Sequence, residues 1–75
     1  MFEYTVEKEL AVLSDTGSAK KLLTVTAWNG YPGKLDLRTW RTVDGKQQPG
    51  KGLTLNEEEA AVLVEALSAW LTNRT

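Results

Sequence analysis

The hydrophobic pattern of this 75-residue chain changes its period once, at Asn56. Before Asn56, apolar and polar residues alternate in segments that are separated by turn formers, which is typical of half-buried β-strands. After Asn56, apolar residues recur at helical spacing. The pattern predicts an α+β fold, in which a single domain over residues 1–75 consists of a four-stranded antiparallel sheet followed by one C-terminal helix. The predicted strands lie at about 4–13, 21–28, 34–42 and 51–55, and the predicted helix at about 57–71.

A chain of this size needs support beyond its own core, because so small a domain buries only about 60% of the surface that its unfolded form exposes. Disulfides, a metal or a partner subunit commonly supply that support. The sequence contains no Cys and no His, which excludes disulfides, the commonest metal and haem sites, thiol nucleophiles and imidazole bases. Catalysis is not forbidden, but it would have to use Asp, Glu, Lys, Tyr, Ser or Thr alone. Oligomerisation is left as the expected support of the fold, and we expect a protein that is not an enzyme and holds no cofactor or metal.

The predicted helix is apolar around more of its circumference than one sheet can cover. It begins with a capping-box pattern, in which Asn56 is followed three residues later by Glu59. Because the chain has no second helix, we expect the excess apolar surface to pack against the same helix of a second copy, which makes a homodimer. The predicted dimer-interface residues are Val62, Ala66, Ala69 and Trp70.

The two faces of the predicted sheet differ in chemistry. A face of leucine and valine residues is expected to lie under the helix, and the other face is expected to be open to solvent. The open face would carry Thr24, Thr26, Trp28, Lys34, Asp36, Arg38 and Trp40. Although the whole chain has a net charge of −1, seven basic and two acidic residues give the segment 17–55 a charge of +5. Basic side chains that track phosphates beside rings that stack on bases indicate single-stranded nucleic acid binding.

Three short motifs suggest other chemistry, and each has a simpler structural explanation. Asp15-Thr16-Gly17-Ser18 matches an aspartic-protease signature, but the other segments of such an enzyme are not recognisable, so we interpret it as a hairpin turn. The segment 45–51 resembles a phosphate loop, yet Gly52 replaces the Ser or Thr that holds magnesium; Lys46 there remains available for weaker phosphate contact. The three Glu at 57–59 suit the positive end of a helix better than a metal site.

Three runs of residues, at 28–29, 34–40 and 50–59, resemble the bacterial YdbC-like proteins, relatives of the eukaryotic transcriptional coactivator called positive cofactor four. The most specific parts are the Asp-aliphatic-Arg-x-aromatic strand and the Gly-Lys-Gly strand that leads into an acidic helix start. The resemblance extends from about Phe2 to Leu71. It implies four antiparallel strands, a C-terminal helix and a homodimer whose helices pack together. It also implies that single-stranded DNA lies across the sheets of both subunits, with little sequence preference.

The resemblance further implies roles for individual residues. Arg38 and Lys51 match basic residues at the DNA surface, and Trp40 lies at or next to an aromatic position that stacks on a base. Three further lysines match basic residues that open the second and third strands. Many relatives have an aromatic residue where this chain has Ala19, and Trp28 is open to either a packing or a binding role. The predicted nucleic-acid-binding residues are Lys20, Lys21, Trp28, Lys34, Arg38, Trp40, Lys46 and Lys51.

The expected partner and location follow from the same features. The chain opens without a basic and then apolar segment, and no apolar run approaches the roughly 20 residues that cross a bilayer. We therefore expect a cytoplasmic, nucleoid-associated protein without membrane contact. Single-stranded DNA is the expected ligand, and RNA stays open because contacts to a 2′-hydroxyl cannot be placed. The alternative function is a protein-interaction module whose basic sheet face docks an acidic partner.

Overall fold

The fold is a four-stranded antiparallel meander followed by one helix, in a computed structural model that describes residues 3–74. The strands are paired in chain order, β1-β2-β3-β4. Their bounds are β1 Tyr4–Asp15, β2 Ala19–Trp28, β3 Lys34–Val43 and β4 Lys46–Leu55, and helix α1 spans Glu57–Thr72. The predicted fold class is confirmed. Phe2, where the family resemblance begins, lies outside the described residues.

Strand β4 begins five residues earlier than the sequence pattern predicted, at Lys46 instead of Lys51. The predicted loop at 44–50 is reduced to a two-residue turn, Asp44-Gly45, in which both residues have positive φ angles of 52° and 78°. Asp-Gly is a favoured pair for such a tight hairpin turn. Pro49 is tolerated inside β4 because β4 is an edge strand, where a residue without an N–H group leaves the ladder intact.

The buried side chains lie on the sheet face that was predicted to be open to solvent. Along β2 and β3, cross-strand partners share a face, and Thr24 is paired with Asp36. Among the described residues, those that are buried are Leu22, Thr24, Thr26, Asp36 and Trp40. The centre of the face that was predicted to be open is therefore buried, and the prediction is wrong there.

Strong bending of the sheet explains this burial. Tyr4 is paired with Trp28 at one end of β2, and Trp40 is paired with Lys20 at the other end. Nevertheless, the Tyr4 ring centroid lies 5.5 Å from that of Trp28 and 5.5 Å from that of Trp40. The β1–β2 register shifts three times, and such irregularities bend and twist a strand. The face is therefore concave, and the side chains of its distant strand ends meet.

The sequence predicted that helix α1 covers the leucine and valine face of its own sheet, and the structure contradicts this prediction. It contacts the sheet mainly through β4, the strand that leads into it. None of its described residues is buried, and Val62 and Trp70 are both 65% exposed. The other two predicted interface residues, Ala66 and Ala69, are also exposed. Among residues 3–74 of one chain, the apolar surface of the helix thus has no packing partner.

Side chains cap both ends of α1, and the cap at its N-terminal end is the one that the sequence predicted. The Asn56 side-chain oxygen accepts from the Glu59 backbone N–H at 2.8 Å, and the Glu59 carboxylate accepts from the Asn56 N–H at 2.9 Å. This confirms the capping box. At the other end, the Asn73 side-chain amide donates to the Ala69 carbonyl at 3.0 Å. Over residues 3–74, α1 is too short and too polar to cross a membrane.

Candidate nucleic-acid interface

A buried ion pair organises the centre of the concave face. The Asp36 carboxylate is fully buried and accepts two hydrogen bonds from Arg38, one from Nε at 2.6 Å and one from Nη2 at 2.8 Å. The Trp28 indole N–H donates to the same carboxylate at 3.2 Å. Such a bidentate pair fixes the plane of the guanidinium group. Asp36 thereby positions both Arg38 and Trp28.

The guanidinium of Arg38 also contacts an aromatic ring and the neighbouring strand. Its central carbon lies 4.5 Å from the centroid of the Trp28 ring, which is a cation–π arrangement. Its Nη1 donates to the Gly50 carbonyl at 3.1 Å. The β3–β4 register shifts between Arg38 and Trp40, beside Gly50. The positive charge of Arg38 is therefore largely compensated inside the protein.

Glycine at position 52 allows β4 to approach this ion pair closely. Gly52 is paired with Arg38 across the β3–β4 ladder. A Cβ atom at position 52 would collide with the Cβ of Arg38 and would lie 2.6 Å from its Cα. The neighbouring strand therefore tolerates no side chain there without moving its backbone.

A groove opens beside the ion pair, at the end of the sheet that carries the β2–β3 turn. Its volume is about 420 Å³. The lining combines aromatic, basic and hydrogen-bonding side chains, from Trp28, Asn29, Tyr31, Pro32, Lys34, Arg38 and Thr54. Tyr31 is 70% exposed, and Lys34 is also exposed. Flat rings beside a cation in one open groove are what an unpaired nucleotide requires.

The predicted binding residues are only partly brought together. Trp28, Lys34 and Arg38 line the groove. Lys20 shares the concave face but lies at the opposite end of β2, where its amino group is 4.0 Å from the Asp15 carboxylate.

The remaining predicted lysines lie elsewhere on the surface. Lys21 follows Lys20 on β2 and therefore points to the other sheet face. Lys46 shares that other face, because it is paired with Val43. Lys51 is exposed on β4, next to the register shift. All three side chains are exposed, so the basic residues form a dispersed surface rather than one patch.

Trp40 was expected to stack on a base, but the structure places its side chain in the interior. It is only 3% exposed, so its ring presents no open face to a ligand. The cause is the curvature of the sheet, which brings Tyr4 against it. Its indole N–H is buried and has no hydrogen-bond partner among the described residues.

Tyr31 is the aromatic groove residue that the sequence interpretation missed. It lies in the segment 29–33, which was interpreted only as a turn. An aromatic residue between Gly30 and Pro32 is too far from any alternating strand pattern to serve the core. That position was the available signal for a binding role.

The Asp15 segment forms the turn that was expected from its residues. The Asp15 carboxylate accepts from the Gly17 backbone N–H at 2.8 Å, and Gly17 has a φ angle of +91°. The Thr16 N–H donates to the Ala19 carbonyl at 2.9 Å. The carboxylate of Asp15 thus stabilises its own hairpin turn.

Comparisons with known proteins agree with this architecture. Residues 16–66 match the family model described as Transcriptional Coactivator p15 (PC4). The chain is also similar to an uncharacterised protein of Treponema pallidum (strain Nichols), with 36% identity over 69 residues, which is 91% of this chain and 79% of the relative. The matched region contains β2, β3 and β4, and with them every residue of the groove and of the buried ion pair. The chain belongs to the PC4 family of transcriptional coactivator p15.

Proposed function

We propose that this protein binds single-stranded DNA as a homodimer, with little preference for base sequence. The groove at the β2–β3 turn carries the proposal, because it combines aromatic rings with the amino group of Lys34 in a space of about 420 Å³. Single-strand binders combine such rings with basic residues that follow the backbone phosphates. Membership of the PC4 family supports the same function. The activity would place the protein at the nucleoid, in transcription or other DNA metabolism.

The exposed lysines supply the phosphate contacts in this proposal. Lys21, Lys46 and Lys51 are exposed, and the Lys20 side chain is 38% exposed. Arg38 contributes little free charge, because its guanidinium is paired with the Asp36 carboxylate. The lysines lie on both sheet faces, so the strand is expected to wrap around the edge of the sheet rather than cross one flat patch.

The homodimer is proposed from the unpartnered apolar surface. A 75-residue chain without disulfides has a small core, and a partner subunit is a common source of the additional stability that such a chain needs. The exposed side chains on α1 include Val62, Val64, Leu67, Trp70 and Leu71. Packing these against the same helix of a second copy removes them from water. Two short grooves in one dimer then serve one strand, which raises the overall affinity through effective concentration.

The direct test is a titration of fluorescein-labelled oligonucleotides, followed by anisotropy at several salt concentrations. We expect binding of dT and mixed-sequence single strands with similar Kd values, and weaker binding of duplex. The logarithm of the affinity should fall with the logarithm of the salt concentration, with a slope of about −0.7 for each phosphate neutralised. A Kd that is independent of salt, or equal affinity for duplex, contradicts the proposal. RNA of the same sequence is measured alongside to establish which nucleic acid is preferred.

A further inference from the structure

The aromatic residues around the concave face differ in how much of each ring a base could reach. Trp28 has one face covered by the Arg38 guanidinium, 4.5 Å from its centroid, and its N–H donates to Asp36. Trp40 is 3% exposed. Tyr4 contacts both indoles, with ring centroids 5.5 Å apart in each case. Tyr4 therefore packs against both indoles, and Trp28 also packs against Arg38.

Tyr31 is the exception. It is 70% exposed, it lines the groove, and within residues 3–74 its ring contacts no other aromatic ring. Because the ring is largely exposed, its burial contributes little to folding. Its position at the rim of the groove leaves it accessible to a ligand.

The backbone holds Tyr31 in place before any ligand binds. Its N–H donates to the Trp28 carbonyl at 2.9 Å, which closes the turn. The two residues between them, Asn29 and Gly30, have φ angles of +50° and +82°. Pro32 follows and restricts the backbone of Tyr31 to extended conformations. Little backbone conformational entropy is then lost when a ligand stacks on the ring.

We propose that Tyr31 is the platform on which one unpaired base of the DNA stacks, with an adjoining phosphate at Lys34. The inference rests on the proposed function and adds its specific contact. Lys34 lines the same groove, and its side chain is exposed. The groove volume of about 420 Å³ falls in the range of roughly 300–1,000 Å³ found for small-ligand sites, so one base fits. A base in a duplex is stacked and paired, so it cannot lie flat on Tyr31, and the groove thereby selects single strands.

The test compares Tyr31→Ala, Tyr31→Leu and Tyr31→Phe with the unaltered protein. Each is titrated with a fluorescein-labelled dT oligomer and with an oligomer of the same length whose sugars carry no bases. Leu13→Ala is the matched control, because Leu13 is an exposed side chain of β1 outside the groove, at 52% exposure. Circular dichroism checks that each variant is folded; Tyr31→Leu keeps apolar bulk, so the result does not depend on one variant.

We expect Tyr31→Ala and Tyr31→Leu to weaken dT binding by about 5- to 150-fold for each base contacted. Tyr31→Phe should stay within about twofold, because the ring and not the hydroxyl carries the contact. The salt dependence should be the same in all variants, since no charge is removed. For the oligomer without bases, Tyr31→Ala should bind as the unaltered protein does.

Two results would overturn the inference while leaving the proposed function in place. One is dT binding by Tyr31→Ala and Tyr31→Leu that equals that of the unaltered protein. The other is an equal loss in Tyr31→Phe and Tyr31→Ala, which would assign the contact to the hydroxyl. If the unaltered protein binds no single-stranded DNA at all, the proposed function and the inference both fail.

Discussion

Removing the Arg38 side chain should destabilise the protein far more than removing an exposed cation. In Arg38→Met, the fully buried Asp36 carboxylate loses both hydrogen bonds of the bidentate pair and keeps only the Trp28 donor at 3.2 Å. Breaking a buried pair from one side typically costs about 3–5 kcal/mol. For a domain of this size, each kcal/mol lowers Tm by about 4–8 °C. We therefore expect a fall in Tm of about 12–40 °C.

The chain contains a matched control for this measurement. Lys20 and Asp15 form an exposed pair at 4.0 Å, with side chains 38% and 48% exposed. An exposed pair contributes about 0–1 kcal/mol, so Lys20→Met should change the free energy of unfolding by no more than that. Both variants are measured by urea denaturation at one fixed protein concentration, because the proposed dimerisation would make stability concentration-dependent.

A double variant separates the ion pair from simple loss of packing. In Asp36→Leu together with Arg38→Met, no buried charge remains, and replacing both partners by apolar groups is often neutral or stabilising. The double variant should therefore be more stable than Arg38→Met alone. If Arg38→Met costs no more than Lys20→Met, the buried carboxylate does not depend on the guanidinium, and the reasoning is refuted.

Three further predictions concern packing, charge and assembly. Gly52→Ala should cost about 1–3 kcal/mol in urea denaturation, because the added Cβ collides with Arg38 backbone and side-chain atoms; an unchanged midpoint would contradict the β3–β4 pairing. Lys34→Ala should make the salt slope of dT binding shallower by about 0.7, the value for one phosphate contact to a single strand, whereas Lys8→Ala on β1 should leave it unchanged; equal slopes would remove Lys34 from the phosphate contacts. Val62→Glu should convert the proposed dimer to monomer in sedimentation equilibrium, and a retained dimer would exclude this helix face as the interface.

The sequence predicted the order and type of the secondary-structure elements, because these depend on local periodicity. The capping box at Asn56 and Glu59 depends on residues three positions apart, and the structure confirms it. The predicted start of β4 was wrong because Pro49 and nearby glycines were interpreted as a loop. The Asp44-Gly45 pair was the stronger signal for a tight hairpin turn.

Curvature could not be predicted in the same way. Alternation shows which residues share a sheet face, but not whether that face is flat or concave. Trp40 and Arg38 were correctly assigned to one face with Trp28, yet the meeting of Tyr4 and Trp40 depends on bending along whole strands. For this reason Trp40 was expected to be accessible, and Tyr31, on an unpaired turn, was overlooked.

The contact between Tyr4 and Trp40 has a consequence for the order of folding events. Each of the three hairpins joins strands that are adjacent in the chain, so each can form by closing a short loop. The two rings belong to β1 and β3 and meet only when both flanking hairpins have aligned and curled. We therefore expect burial of the Trp40 indole to follow hairpin formation, because it depends on the cooperation of three strands rather than on any single hairpin.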